Sequence, residues 1–320
     1  MKFEDVIKTS RNGSPRSKNT ITTYKYDWKN AIKLFFPNEK NIDINNDKFL
    51  NILDFKISKI KKKIQEIKKI RQRKRILNII EILAFDLDRP RVDVKKLVLA
   101  INKEIQDEED KNVKSSKEKE NWITPEEYDE ILNEYEKEVN SLIKKKKIDT
   151  YFGRQKLQNL IIYKFYREHH LRNDIARLKV ISNKNYKKIE DDDDDKTNYI
   201  IVDSRNCYVI LNEYKTFKFT NEAKIEISKE LANLIRKYLK IQKSGYLLVN
   251  GENKPFTRGT FSVYFIRTSK KIFGKSFGTS LLRHIAITNK TKDMNLSERR
   301  KLAREMLHGV GTQLVYYKND

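Results

Sequence analysis

Apolar residues recur every three or four positions through most of the chain, the spacing of helices with one buried face. In "NTITTYKYDWKNAIKLFF" the apolar positions Ile21, Tyr24, Trp28, Ile32 and Leu34 to Phe36 predict the first long helix. The eighteen residues up to its start, "MKFEDVIKTSRNGSPRSK", contain Gly13, Pro15 and several serines and read as loose chain. The period continues from Asp47 to about Phe85, predicting two or three helices, and again over 92–106. Together these make a small all-helical bundle. "DEEDKNVKSSKEKE", 107–120, has almost no apolar residue and reads as an exposed linker. Thr124, Pro125 and Glu127 then form a helix start, a capping box with proline in the first turn, ahead of helices over 125–146 and 152–168. The β-rich runs "NYIIVD", "CYVILNEYKT" and "AKIEIS" are separated by short turns and predict a three-stranded antiparallel meander. From Ser228 onward the chain reads helical apart from "GYLLVN". The expected fold class is mainly α with a small antiparallel β-sheet (α+β). The expected organisation is a helical domain at 1–106, a linker at 107–120 and a mixed domain at 121–320.

Charge sharpens this picture. The chain carries 69 Lys and Arg against 45 Asp and Glu, a formal net charge of +24, yet 38% of it is hydrophobic, enough for real cores. Such an imbalance implies a polyanionic partner, nucleic acid ahead of an anionic membrane surface. Residues 1–120 hold 30 Lys and Arg against 19 Asp and Glu, and the remainder 39 against 26, so both halves would touch it. Low-GC coding is the competing account of a chain rich in Lys, Asn and Ile. "KISKIKKKIQEIKKIRQRKR", 56–75, fits a nuclear-localisation or DNA-contacting strip and equally a solvated helix face. No apolar run has the length of a membrane span, and no signal-peptide core opens the chain. The expectation is an intracellular protein, not secreted. The single cysteine, Cys207, excludes an intrachain disulfide and a cysteine-based zinc cluster. The run "EDDDDDK", 190–196, reads as a solvated loop, because five adjacent aspartates cannot converge on one ion.

Candidate chemistry lies in four short stretches of the second half. "HHLRNDIARL" puts Arg172 in a turn after a helix, and "NEYKTFKFTNE" puts Lys215 where a strand runs into a hairpin. "SLLRHIAIT" contains Arg283 and His284, and "LHGVGTQLVYY" contains His308, Tyr316 and Tyr317. Each stretch alone is weak in a chain so rich in basic residues. In order and spacing, however, Arg, hairpin Lys, Arg-His on a helix, and His followed nine residues later by Tyr resemble the tyrosine recombinase (phage-integrase-like) family. The resemblance covers about residues 121–317. It extends more weakly to the N-terminal bundle, where "SKNTITTYKYDW" is similar to the opening helix of the family's core-binding domain. In detail it is most similar to divergent integrases of large DNA viruses and related mobile elements.

The resemblance implies a site-specific DNA recombinase or integrase that clamps duplex DNA between the two domains and works through a 3′-phosphotyrosyl intermediate. Arg172 and Arg283 would grip one scissile phosphate with planar, permanently charged forks. Lys215 would protonate the departing 5′ oxygen, and His308 would serve the phosphate or the proton balance at the nucleophile. The interval of nine from His308 points to Tyr317 as nucleophile; Tyr316 is the neighbour, about 100° away on a helix. The resemblance implies no cofactor and no metal. Its expected partners are double-stranded DNA and further copies of the chain, a tetramer in the synaptic complex. Two departures stand out. The family commonly has His three residues before the second Arg; here that position is Ser280. His284, one residue after Arg283, faces elsewhere on a helix and cannot replace it in the same geometry, so either Ser280 makes a weaker hydroxyl contact to the phosphate or His284 serves a different role behind the residues that touch it. The acidic residue often found after the first Arg is matched loosely by Asp174. The other departure is that only Lys318, Asn319 and Asp320 follow Tyr317, where many members continue into a helix that docks on a neighbouring protomer; that contact would come from elsewhere, or the chain is truncated. A type IB-like topoisomerase and a catalytically inactive DNA-binding relative are the alternatives, the second kept open by Ser280. A metal-dependent nuclease or transposase comes last.

Overall fold

The computed structural model describes residues 3–10, 13–190, 195–215, 217 and 223–319. It divides into two compact units, Met1–Lys111 and Asn112–Asp320. The class is mainly helical with a small sheet, as the pattern predicts.

The first unit packs α1 (Phe3–Val6), α2 (Lys18–Phe35), a 3-10 helix (Asp47–Asp54), α3 (Ile57–Gln65), α4 (Ile70–Asp86) and α5 (Val92–Glu109) around one core. Helix α2 starts where the Ser17 hydroxyl accepts from the Thr20 N–H and buries Trp28, Ala31, Ile32 and Phe35 along one stripe. The expectation of a loose N-terminus is corrected. Phe3, Val6 and Ile7 are buried, and Phe3 stacks on Trp28 with ring centroids 5.7 Å apart. Gly13 does mark a turn, at φ 78°, but that turn folds the chain back on itself: Thr9 bridges Pro15, and Arg16 pairs with Asp86 at 3.2 Å. Turn residues report where a chain bends and say nothing about whether the apolar residues before the bend find cover. The basic strip 56–75 spans α3 and the start of α4; Ile60 and Ile64 face the core while Lys61, Lys62, Lys68 and Lys69 are exposed.

The expected linker is also corrected. Helix α5 runs on to Glu109, and Ser115 with Glu118 forms a reciprocal capping box that starts α6 (Ser116–Asn121). Glu and Lys are good helix formers, so a charged, apolar-poor stretch is as compatible with solvated helix ends as with coil.

In the second unit α7 (Pro125–Lys144) and α8 (Tyr151–Glu168) pack side by side. Thr124 caps α7 through the Glu127 N–H at 3.1 Å, but the Glu127 carboxylate pairs with Lys275 at 2.8 Å, so only half of the expected capping box forms. Helix α8 is the unit's central beam, buried along Leu157, Leu160, Ile161, Tyr163, Phe165 and Tyr166. The chain at 147–148 crosses its first turn so closely that a Cβ on Gly153 would come within 2.3 Å of the Lys147 carbonyl oxygen. The sheet has four strands in the order β1 (Lys179–Ile181), β2 (Tyr199–Val202), β3 (Cys207–Leu211), β4 (Ala223–Glu226). The three-stranded antiparallel expectation is thereby corrected. β2, β3 and β4 do form the meander, with Ile200 opposite Val209 and Val209 opposite Ile225, while β1 joins β2 in parallel with Val180 opposite Ile200. Three residues are too short for period two to register. "GYLLVN" lies along β1, bonded through Val180 N–H to Gly245 O at 2.8 Å and Leu247 N–H to Leu178 O at 2.9 Å. One sheet face, with Ile200, Val209 and Ile225, joins the main core; the other packs Tyr199, Ile201 and Ile210 under Tyr186. The acidic run lies between α9 (Asn183–Tyr186) and β2, and its residues 191–194 fall outside the described residues. The chain continues through α10 (Lys229–Ile241), α11 (Arg258–Phe273), α12 (Thr279–Lys290), α13 (Leu296–Glu305) and α14 (Val310–Tyr316). No helix of the described residues is long and apolar enough to cross a membrane.

Candidate active site

The end of α13 is the centre of the site. Leu307 is left-handed, at φ 53°, and the N–H groups of Leu307 and His308 turn back to the carbonyls of Arg304 and Ala303, both at 3.0 Å. This is a Schellman turn with leucine where glycine is usual, a conformation that costs an L-residue roughly 1–2 kcal/mol. Two arginines hold the carbonyls of that turn. Arg283, on α12, donates Nη1–H to Met306 O at 3.1 Å, and Arg172 donates Nη1–H to Leu307 O at 3.4 Å. Arg283 Nη1 also reaches His170 O at 2.7 Å, which ties α12 to the segment just before Arg172. Arg172 itself caps the 3-10 helix Asn173–Arg177, and its carbonyl accepts the Tyr166 hydroxyl at 2.8 Å. The two arginines, 111 positions apart in the chain (283 minus 172), thus meet at one turn.

Arg283 is 0% exposed, and its Nε and Nη2 find no partner at full hydrogen-bond geometry, the Tyr316 side chain being the group that interacts with the guanidinium. Burial lowers its pKa from the ordinary arginine value, against the Tyr316 side chain, which raises it. Its guanidinium lies over the Tyr316 ring, 5.0 Å from the centroid. His308 follows directly, 6% exposed, with Nδ1 2.9 Å from Gly309 O. A carbonyl only accepts, so Nδ1 carries the proton and a neutral His308 presents Nε2 as a lone pair. That Nε2 is buried and unpaired. Burial, with Arg283 and Arg172 adding to it, lowers the His308 pKa to about 4. Tyr316 brings its ring into this cluster, 5.7 Å from the His308 ring and 4.8 Å from that of His284. Tyr317 is the C-cap residue of α14. Its N–H bonds to Gln313 O at 2.9 Å, and like Tyr316 it packs against Ile287, Leu302 and Met306.

The remaining candidates lie around this cluster. Ser280 is exposed in the first turn of α12, and its neighbour Thr279 donates to Asn173 Oδ1 at 2.8 Å, beside Arg172. Lys215 is exposed in the β3–β4 connection, of which 216 and 218–222 lie outside the described residues. Two side chains fasten the root of that connection to the segment after Arg172. Arg258 bonds Glu213 O at 2.8 Å and pairs with Asp174 at 3.1 Å, and Asn198 donates to both Asp174 O and Glu213 O. Asp174 is buried, which raises its pKa against the pull of Arg258 first and Arg172 next. Sequence reasoning passed over Asn198, Arg258 and His170. Asn198 and Arg258 are single polar residues at element ends and His170 contributes a backbone carbonyl, none of which leaves a pattern.

The buried histidines make a pH prediction. His308 is lowered to about 4 and His170, by burial and then by Lys290 and Arg167, to about 3. Their unfolded values lie near 6.5, so below pH 6.5 the unfolded chain takes up protons that the folded one refuses, and stability falls with pH. The expected result is full stability above about pH 6.5 and a progressive loss between pH 6.5 and 4, read as melting temperature. His170→Phe should flatten that slope; an unchanged slope would refute the assignment.

Compared with solved structures, the chain is similar to that described as "Crystal structure of XerA recombinase", at 13% identity over 95% of this chain and 89% of that one, with a TM-score of 0.39. A superposition that loose bears on neither chemistry nor partners. No protein-family model matches the sequence, and no curated protein matches it.

Proposed function

We propose that the chain is a site-specific DNA recombinase or integrase that cleaves and rejoins strands through a 3′-phosphotyrosyl intermediate. One observation carries the reading: Arg172, Arg283 and His308, singled out by order and spacing, come together at the 306–308 turn with a tyrosine ring against them. Such a set is suited to phosphoryl transfer. The Nε and Nη2 of Arg283, engaged by no protein group but the Tyr316 side chain, would donate to an oxyanion, and Arg172 adds a second fork at the same turn. The phenol oxygen attacks the phosphorus in line, its proton passing to the His308 Nε2 lone pair. The P–O5′ bond breaks as the P–O bond to tyrosine forms, and Lys215 delivers a proton to the departing 5′ oxygen. Attack by a 5′ hydroxyl runs the same steps backward and rejoins a strand. A free tyrosine has a pKa near 10, and the two arginines stabilise the charge that its attack develops. The same chain provides nonspecific affinity: exposed lysines of the 56–75 strip and of the second unit would bind backbone phosphates, with strong salt dependence. Double-stranded DNA is then the partner, bound by both units, with a homo-oligomer, a tetramer in the synaptic complex, performing the exchange. The cell interior, in the nucleus or at a viral replication site, is where such a reaction would run.

Covalent trapping tests this. Protein is incubated in EDTA with nicked duplexes bearing its own element ends or a randomised library, and DNA that stays with protein through SDS is measured. An adduct is expected. Its absence from protein shown to bind the same DNA would overturn the catalytic reading and leave a DNA-binding relative.

A further inference from the structure

His284 is the cluster residue that the proposed chemistry leaves unused. It follows Arg283 on α12, half-buried, and points about 100° away from it. Its Nδ1 lies 2.8 Å from the carbonyl oxygen of Tyr316, and its ring meets the Tyr316 ring edge-on at 4.8 Å and 62°. That carbonyl belongs to the last turn of α14, where helix carbonyls have no partner of their own. α14 is only seven residues long, too short to hold its shape alone. Gln313 fastens its middle to Arg299 O at 2.9 Å, and the Lys318 N–H reaches Thr288 Oγ1, one turn along α12 from His284, at 3.0 Å. At Tyr316 itself, His284 grips both backbone and ring.

We infer that His284 is a positioning residue that clasps Tyr316 to the helix carrying Arg283, so that one rigid element sets the phenol against the phosphate-binding guanidinium. The inference rests on the recombinase reading for its consequence and on geometry alone for the clasp. The carbonyl only accepts, so His284 must donate from Nδ1, and both the neutral Nδ1–H form and the imidazolium do so. The clasp therefore moves no proton during the reaction and needs none to be lost. Its contribution is alignment, and a misplacement of about 1 Å in a phosphoryl-transfer site can cost on the order of 10²-fold in rate.

Three variants separate this from other roles. Asparagine places an amide N–H where histidine has Nδ1, glutamine places it one bond further out, and alanine offers none. Two readouts apply: the single-turnover rate of adduct formation at saturating nicked DNA, with the DNA Kd measured beside it, and amide hydrogen exchange of residues 313–318 in the free protein. His284→Ala is expected to lose about 10- to 100-fold in rate with a Kd within about twofold of the parent, and to speed exchange. His284→Asn should recover most of the rate and protection with the parent's pH profile, while His284→Gln should not. Asn as inactive as Ala, with a displaced pH profile, would make His284 a proton-transfer group and overturn the inference. Parent-like rates in all three would overturn it too, as would a Kd change large enough to account for the loss. Should the parent form no adduct, the recombinase reading fails while hydrogen exchange still decides the clasp: equal exchange in parent and alanine variant removes it.

Discussion

Tyr316→Phe is expected to abolish the covalent DNA adduct, a loss on the order of 10⁴-fold or more, while the protein still binds the same nicked duplex. Removing one hydroxyl takes away the proposed nucleophile and leaves the ring that lies against the Arg283 guanidinium at 5.0 Å, so folding and DNA affinity should barely change. Tyr317→Phe should keep most of the adduct. The interval of nine from His308 selects Tyr317, while Tyr316 presents its ring to Arg283, His284 and His308; both tyrosines also pack on Ile287, Leu302 and Met306. Trapping with the two variants side by side decides between interval and geometry. Loss confined to Tyr317→Phe would keep the chemistry and require α14 to turn by about 100° when DNA binds. Loss in neither would remove tyrosine nucleophilicity at this site.

Arg283→Lys is expected to lower single-turnover cleavage by about 10²–10³-fold, the effect typical of removing one preorganised donor to a developing oxyanion. In the proposed reaction the guanidinium does two jobs at once: Nη1 holds His170 O and Met306 O, and Nε and Nη2 would serve the phosphate. A lysine ammonium is a single point charge and cannot serve both sides. Arg283→Met should lose at least as much rate. Its stability is a separate matter. The methionine removes a fully buried, incompletely paired charge, which favours folding, but leaves two carbonyls without a donor, which costs about 1–3 kcal/mol for each that stays dry. The two effects oppose, so the melting temperature should move little beside the loss in rate. A variant that keeps parental cleavage would show that Arg283 is purely structural. One that loses rate only in step with DNA affinity would move it from the reacting phosphate to general backbone contact.

Much of the fold was legible because it repeats. The stripe Trp28, Ala31, Ile32, Phe35 and the alternation through β2 and β3 are periodic, and periodicity survives reading along one dimension. The failures were aperiodic. Phe3, Val6 and Ile7 looked loose because what covers them, Trp28 and its neighbours, lies beyond an intervening turn. β1 escaped because three residues contain too little alternation to count, and the 107–120 segment because charge alone cannot separate a solvated helix from coil.

The site divides in the same way. Sequence by itself determined which residue types are available and in what order: Arg172, Lys215, Arg283, His308 and a tyrosine pair, on a chain basic enough to seek a polyanion. Only the tertiary structure decided that both arginines meet at the Met306–Leu307 turn, that Arg258 and Asn198 anchor the Lys215 connection beside Asp174, and that His284 grips Tyr316. The physical reason lies in what each level encodes. Side-chain chemistry and helical period are local and can be read from neighbours three or four positions away. Which of two adjacent tyrosines faces a guanidinium depends on the rotation of a seven-residue helix about its own axis, and that rotation is set by Gln313, Thr288 and His284 gripping it from other elements.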